Sequence, residues 1–339
     1  MYDVIVVGAS FAGLNVSYHL ASKGLKVLVI EQKPSVDAGL KSTGILTKEA
    51  YDYLTPFELN VNEIKTVNLY SPSLKKLELT NEGYAFYTTN LGGILTEMYE
   101  KAKSKGVEFK FNQFFDTSFT KQARFIIGAD GADSDIAKIF KLDRNKKFLI
   151  GYEIHVKNHN FSDKQSFSCY LDHNLAKGYI GWVAPFDDHI QIGLAGLKGS
   201  KLNLEKFVKK LGLANNINDL EIVEKRSGLI PVNGPLKRFF DDKIILIGDA
   251  SGLVSPLSAG GIYPSLIFSE KIAGLLYDHL ENNAPHPGLI IKKSYPDYRF
   301  KKLLRFVINL MPNFMLNICF YLPFFKQFAT QMFFHERKY

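Results

Sequence analysis

Residues 2–31, YDVIVVGASFAGLNVSYHLASKGLKVLVIE, constrain this chain more than any other stretch. Val4 to Val7 is an unbroken apolar run ended by Gly8, the pattern of a strand buried inside a parallel sheet. Gly8-Ala9-Ser10-Phe11-Ala12-Gly13 then opens a helix to about Lys23, Gly24 stops it, and Lys26–Ile30 forms the next strand. Gly8 permits the tight turn, and Gly13 lets the helix pack closely on the strand. Ser10 stands where a middle glycine is usual and offers a hydroxyl to a phosphate. A pyrophosphate is expected on the helix N-terminus, where bare N–H groups and the helix dipole favour anions. Glu31 closes the unit at about the distance where a carboxylate reaches a ribose hydroxyl. The expected nucleotide contacts are Gly8, Ser10, Phe11, Ala12, Gly13 and Glu31, with Gln32 beside them.

Two later segments share one design, an apolar strand that delivers an aspartate and small residues to a loop. Arg124–Gly128 leads to Asp130-Gly131, and Lys243–Ile247 leads to Gly248-Asp249. In the second, Pro256 and Ser258-Ala259-Gly260-Gly261 precede an apolar helix from Ile262 to about Leu280. Glycines at a helix start leave amides bare for a partly anionic ligand, although Asp-Gly is also a common turn. In this order, the three segments point to FAD. They resemble the glutathione-reductase-type flavoproteins of the para-hydroxybenzoate hydroxylase fold over about residues 2–280. The resemblance implies that Asp249 bonds the ribityl chain, that Gly260, Gly261 and Ile262 lie beside the flavin ring, and that Asp130 and Gly248 support the cofactor.

A fourth segment, GYIGWVAPFDDHIQIGLAG at 178–196, reads as two strands joined by the turn Phe186-Asp187-Asp188-His189. It resembles the Tyr…Trp-x-x-Pro…Gly-x-Gly pattern of geranylgeranyl reductases, flavoenzymes that saturate isoprenoid double bonds. Tyr179, Trp182, Pro185 and Gly193 match, whereas Ala184 replaces an aromatic and Ala195 the last glycine. Several such reductases carry Cys-Gly on the loop after the ribose-binding strand. Here Lys41-Ser42-Thr43-Gly44 occupies that stretch, so no thiol chemistry is expected there. The helix Leu91–Lys105 follows Thr88-Thr89-Asn90, where related flavoproteins place an arginine for the cofactor. The length of 339 residues is short for such a reductase, as expected of a distant paralogue with its own substrate.

The scattered nucleotide segments require a discontinuous domain. The expected fold class is α/β: a glutathione-reductase-type FAD-binding Rossmann-like domain, an inserted mostly antiparallel-sheet substrate domain, and a helical C-terminal segment. The expected boundaries are 1–60, 89–145 and 226–285 for the first, 61–88 and 146–225 for the second, and 286–339 for the third. Two cysteines, Cys169 and Cys319, cannot build a disulfide framework, and the first strand near Tyr2 leaves no room for a secretory signal. A cytoplasmic protein with reduced thiols is the expectation. The net charge of +8 comes without a nucleic-acid motif, so an anionic membrane surface or lipid headgroup is the expected charged partner. Residues 303–334 are dense in Phe, Leu and Met and follow a basic stretch, but Pro312 and Pro323 interrupt them. The pattern predicts a peripheral segment at the inner face of the membrane, or a lid over an apolar tunnel, with short helices packed on the core as the alternative.

The resemblance implies reduction of an isoprenoid lipid substrate by hydride from reduced FAD, with Thr43, Tyr179, Trp182 and Pro256 expected around the reacting centre and Gly44 among the cofactor contacts. NAD(P)H or a reduced ferredoxin is the expected electron donor, because no second nucleotide-binding βαβ unit is present in the sequence. No residue stands out as an acid beyond Tyr179. His155, His159, His173 and His189 lack metal-ligand spacing and read as surface or core residues, and no metal is expected. Two other readings stay open: oxygen-dependent hydroxylation of an aromatic or polyprenyl compound, and flavin-containing lipid binding without turnover. Halogenases of this fold usually carry Trp-x-Trp-x-Ile-Pro, and Gly181-Trp182-Val183-Ala184-Pro185 holds a single Trp.

Overall fold

The computed structural model describes residues 1–157, 165–335 and 337. A six-stranded sheet carries the first strand at its centre, in the order Phe240–Asp241, Ile244–Leu246, Ala123–Gly128, Tyr2–Val7, Val27–Ile30, Glu108–Lys110. All neighbours are parallel except the edge pair Phe240–Asp241 and Ile244–Leu246. Val4 to Val7 and Val27 to Ile30 are buried because helices cover the sheet, and this is why both runs lack polar alternation. Helix Phe11–Ser22 packs between Leu91–Ser104 and Ile262–Glu281. Its buried Asn15 fixes that register: Nδ2 donates to the Leu266 carbonyl at 2.9 Å and lies 3.0 Å from both Ser269 Oγ and the Tyr53 hydroxyl.

The second layer is a seven-stranded sheet ordered Ile222–Pro231, Phe148–Lys157, His189–Leu197, Gly181–Pro185, Ser166–Tyr170, Thr66–Tyr70, Lys76–Thr80. Only Ser166–Tyr170 and Thr66–Tyr70 run parallel. Ile222–Pro231 stays paired with Phe148–Lys157 along its whole length, through the boundary expected at 225, so residues 226–231 belong to this sheet. A three-stranded sheet of Ile45–Leu46, Phe86–Thr89 and Val61–Ile64 joins the two layers.

After residue 286 the chain forms helices Pro287–Ile291, Arg299–Leu310, Asn313–Cys319 and Pro323–Phe333. Pro312 precedes the third of these and Pro323 begins the fourth, as expected of residues that cannot continue a helix. Phe320, Ala329 and Phe334 are buried in the same apolar cluster as Trp182 and Phe86, so part of this tail is core. Among the described residues, no helix is long and apolar enough to cross a membrane.

Candidate flavin and substrate site

The glycine-rich turn is shaped by two contacts that leave no room for side chains. Gly8 has φ +105°, and a Cβ on Gly13 would lie 1.9 Å from the Gly8 carbonyl oxygen. The helix therefore starts directly against the strand end. Ser10 occupies the N-cap with an extended backbone but forms no side-chain cap bond, and Gly261 leaves the helix Ile262–Glu281 uncapped as well. Thr47, Asn90, Ser134 and Asn203, by contrast, cap their own helices. The two helices that begin at the glycine-rich segments thus keep first-turn amides for a ligand.

Glu31 is buried, and its Oε2 accepts from the Ala9 amide at 2.7 Å while Oε1 accepts from the Lys33 amide at 3.0 Å. It braces the glycine-rich turn against the second strand, and a carboxylate with about four acceptor sites keeps capacity for a ribose hydroxyl. Gln32 beside it is exposed. Phe11 and Ala12 are buried in the first turn of the helix.

Asp130 and Asp249 meet through Asn145, which the sequence did not single out. Its Nδ2 donates to the Ala132 carbonyl at 2.9 Å and to the Asp249 carbonyl at 2.8 Å, tying the second and third segments together. Asp130 Oδ2 accepts from the Ile136 amide at 3.0 Å, whereas its Oδ1 is buried without a partner. Burial holds the Asp130 carboxyl above the ordinary carboxylate range. The Asp249 carboxylate makes no hydrogen bond among the described residues, and burial pushes its pKa up to about 6. It lies against the loop before Ile262, where a Cβ on Gly261 would be 3.1 Å from Asp249 Oδ1. Gly248 has φ +58°, and a Cβ on Gly260 would meet only Ser258 Oγ, at 3.5 Å, so the loop passes the site with bare backbone. An elongated group with a diphosphate and several hydroxyls fits this set: bare amides for the anion, and unpartnered carboxylate oxygens for the hydroxyls.

The opposite wall is built by the second sheet. Gly44 has φ +78°, and a Cβ there would be 2.7 Å from the Thr89 carbonyl oxygen. Gln191, fully buried in His189–Leu197, is the hub. Its Oε1 accepts from Trp182 Nε1 at 3.1 Å, and its Nε2 donates to the Thr43 carbonyl at 2.8 Å. Nε2 also lies 3.1 Å from Glu153 Oε1 and 3.1 Å from His155 Nε2. Trp182 is buried face-down on Gly193, which carries no side chain to obstruct it. Arg226 donates from Nη1 to the Ser42 carbonyl at 3.1 Å and pairs with Glu224, bringing a guanidinium to the 41–44 loop from the second sheet. A cavity of about 860 Å³ opens beside it, lined by Asp37, Leu40, Asn90, Gly92 and Arg226 among others. Asn90 itself caps the helix Leu91–Ser104, and the nearby arginine is Arg226, more than a hundred positions further along the chain.

Tyr179 reaches the loop before Ile262, its hydroxyl donating to the Ser258 carbonyl at 2.7 Å. Burial raises the phenol well above its ordinary value. The bond to Ser258 fixes the ring against the loop that precedes Ile262. His155 is also no simple core residue: it joins the Gln191 network and stacks on His189 at 4.7 Å. His173 Nε2 is buried without a partner, and His159 lies outside the described residues.

Fold and site together define an FAD-dependent oxidoreductase. The family model for FAD-dependent oxidoreductases of the DAO type matches residues 3–111. A digeranylgeranylglycerophospholipid reductase of Methanocaldococcus jannaschii is 30% identical over 289 residues, covering 78% of this chain and 73% of the relative. The reductase of the same name from Methanococcus vannielii is 29% identical over 290 residues, covering 77% and 73%. A geranylgeranyl bacteriochlorophyll reductase-like protein from Thermoplasma acidophilum shares the fold with a TM-score of 0.82 at 18% identity, covering 94% of this chain and 90% of that one. A halogenase solved with FAD aligns with a TM-score of 0.72 at 15% identity, over 94% and 79%. The chain belongs to the digeranylgeranylglycerophospholipid reductase family.

Proposed function

We propose that this protein is an FAD-dependent reductase that saturates double bonds in the geranylgeranyl-type chains of a membrane lipid. Kinship with reductases of that name supports the reading. The observation that carries it in this chain is the Trp182–Gln191–Thr43 bridge, which fastens an apolar wall to the loop next to the cofactor segments. FAD supplies the hydride once it has been reduced. The protein does the rest by position. Bare amides at Phe11–Ser22 and Ile262–Glu281 would hold the diphosphate, Asp249 would accept from the ribityl hydroxyls, and Glu31 would accept from the ribose. Trp182, Tyr179 and Pro256 give the alkene an apolar wall, and Thr43 and Gly44 carry the backbone past it. The proton for the second carbon comes from water entering at the edge of this wall. The reductant is a transiently bound NAD(P)H or a ferredoxin, since no second βαβ nucleotide unit occurs among the described strands.

The substrate's medium accounts for the tail, whose exposed apolar face fits peripheral contact with the cytoplasmic leaflet. The test is anaerobic incubation of reduced holoprotein with a phospholipid bearing geranylgeranyl chains, followed by mass spectrometry. Gain of two hydrogens per double bond, with reoxidation of the flavin, is the expected outcome. An unchanged lipid, or a lipid that gains oxygen in air, would refute the reading.

A further inference from the structure

The first of the last three helices is built inside out. In Arg299–Leu310 the charged Arg305 is 7% exposed, with Nη1 donating to the Pro256 carbonyl and Nη2 to the Gly178 carbonyl, each at 2.7 Å. Phe300, Leu303, Phe306, Val307 and Leu310, spaced on the opposite face, are 44–68% exposed. The next helix continues the surface with Phe314, Met315 and Ile318, at 42–63% exposure. Tyr321 and Phe324 follow at 69% and 64%. A helix that buries its arginine and shows its phenylalanines is arranged for an apolar medium outside the protein.

Beside this face is a cavity of about 590 Å³, which the middle helix shares with the second sheet's helix Leu204–Lys210. Asn313 and Asn317 line it from one side and Lys206, Lys209 and Lys210 from the other. The cavity holds one carboxylate, Asp172, and that group is consumed. Lys210 Nζ, Asn313 Nδ2 and the Asn174 amide all donate to it. Lys206 and Lys209 form no ion pair among the described residues, so two positive charges remain without a counterion. Asn317 Oδ1 accepts from the Ser73 amide at 2.9 Å, which leaves its amide N–H₂ group for a ligand. On the exposed face, the Lys75 ammonium lies 3.2 Å from the centre of the Tyr321 ring.

We infer that this cavity is a headgroup site for an anionic phospholipid of the bilayer. Its phosphate sits between Lys206 and Lys209 and bonds Asn317, while its chains run beside Phe314 and Ile318. The charge pattern selects this occupant: cations at the rim, apolar side chains outward, and stems of lysine long enough to reach between the two. The cavity shares no lining residue with Thr43, Tyr179, Trp182 or Pro256, and the inference rests on the proposed lipid reductase reading only for the presence of a membrane.

Co-sedimentation of the holoprotein with vesicles tests it. Wild type should bind phosphatidylglycerol vesicles more tightly than phosphatidylcholine vesicles. Lys206→Gln with Lys209→Gln should weaken the anionic binding about 30-fold, from about 1 kcal/mol per lysine near the surface. The same charge removed at Lys103→Gln with Lys105→Gln should change it less than about 3-fold. Phe314→Ser with Ile318→Ser should weaken binding to both vesicles. Equal losses from the two lysine pairs, or equal binding of wild type to both vesicles, would overturn the inference. So would release by inorganic phosphate at matched ionic strength, which would mark a free-phosphate site. A wild type that self-associates and ignores vesicles would make the face a contact between copies, again against the inference. Turnover of detergent-dispersed lipid by the Lys206, Lys209 variant should be unchanged, and its loss would move the lysines into the substrate site. Absence of turnover in wild type sinks the reductase reading and leaves the vesicle result standing.

Discussion

A single methyl group at Gly193 tests whether the wall described above is real. Placed there, a Cβ would lie 2.2 Å from Trp182 Cζ2, 2.4 Å from Cε2 and 2.8 Å from Cη2. Ordinary carbon contacts are about 3.5 Å, so the ring must retreat by roughly 1.3 Å. Trp182 is 5% exposed and has no free space for that movement. Overpacking of this kind costs about 1–3 kcal/mol. The Trp182–Gln191 bond, 3.1 Å at rest, would then stretch past its useful range. Its loss adds about 0.5–1.5 kcal/mol, for a total near 2–4 kcal/mol. Urea unfolding followed by fluorescence reads this cleanly, because Trp182 is the only tryptophan in the chain. Gly193→Ala should lower the stability by that amount and shift the folded-state emission to the red. In a Trp182→Phe background, which removes the crowding ring atoms, the same substitution should cost less than about 1 kcal/mol. Wild-type stability in Gly193→Ala, or an equal loss in both backgrounds, would refute the reasoning.

Other outcomes follow from the same geometry. Gly13→Ala puts its Cβ into the Gly8 carbonyl oxygen and should yield protein purified without flavin, read by absorbance against folded content from circular dichroism. Asp249 has its folded pKa raised to about 6 from the ordinary 3.8, so its contribution to stability is complete below about pH 4 and is lost as pH rises through 6. Thermal unfolding of apoprotein from pH 4 to 7 should show that decline in wild type and not in Asp249→Asn. Arg305→Met orphans the Pro256 and Gly178 carbonyls and should cost about 3–5 kcal/mol in urea unfolding, with Arg305→Lys recovering part of it. Gln191→Leu unhooks Trp182 from Thr43 and should lower kcat by about 10-fold at unchanged flavin content, because misplacement of a substrate wall is costly.

The first nucleotide unit was legible because its constraints are local. A buried strand, a turn that tolerates no Cβ and a helix start all lie within Tyr2 to Gly13, and the structure realises them at those residues. The paired strands around Phe186–His189 were legible for the same reason. Residues whose role depends on distant partners were not. Gln191 reads as one polar residue between Ile190 and Ile192, and only the meeting of three strands and the 41–44 loop gives it four partners. A polar side chain inside an otherwise apolar strand was the available signal. Arg305 carries no local signal of its role, because its partners lie 49 and 127 positions away. The boundary at 225 failed because strand pairing, which holds Ile222–Pro231 together, leaves no trace in composition.

The position of Tyr2–Val7 at the centre of its sheet sets an order of events during synthesis. Its neighbours are Val27–Ile30 on one side and Ala123–Gly128 on the other, and the sheet continues to Ile244–Leu246. Tyr2–Val7 therefore waits for more than a hundred later residues before its second edge is closed. The amides of Ile262–Glu281 arrive later still. Between these moments a short strand with the apolar run Val4–Val7 is exposed to whatever else is nascent, a state prone to wrong pairing. With the cofactor placed as proposed, its capture waits for Ile262, and flavin supply can act on the yield of folded protein as well as on its activity.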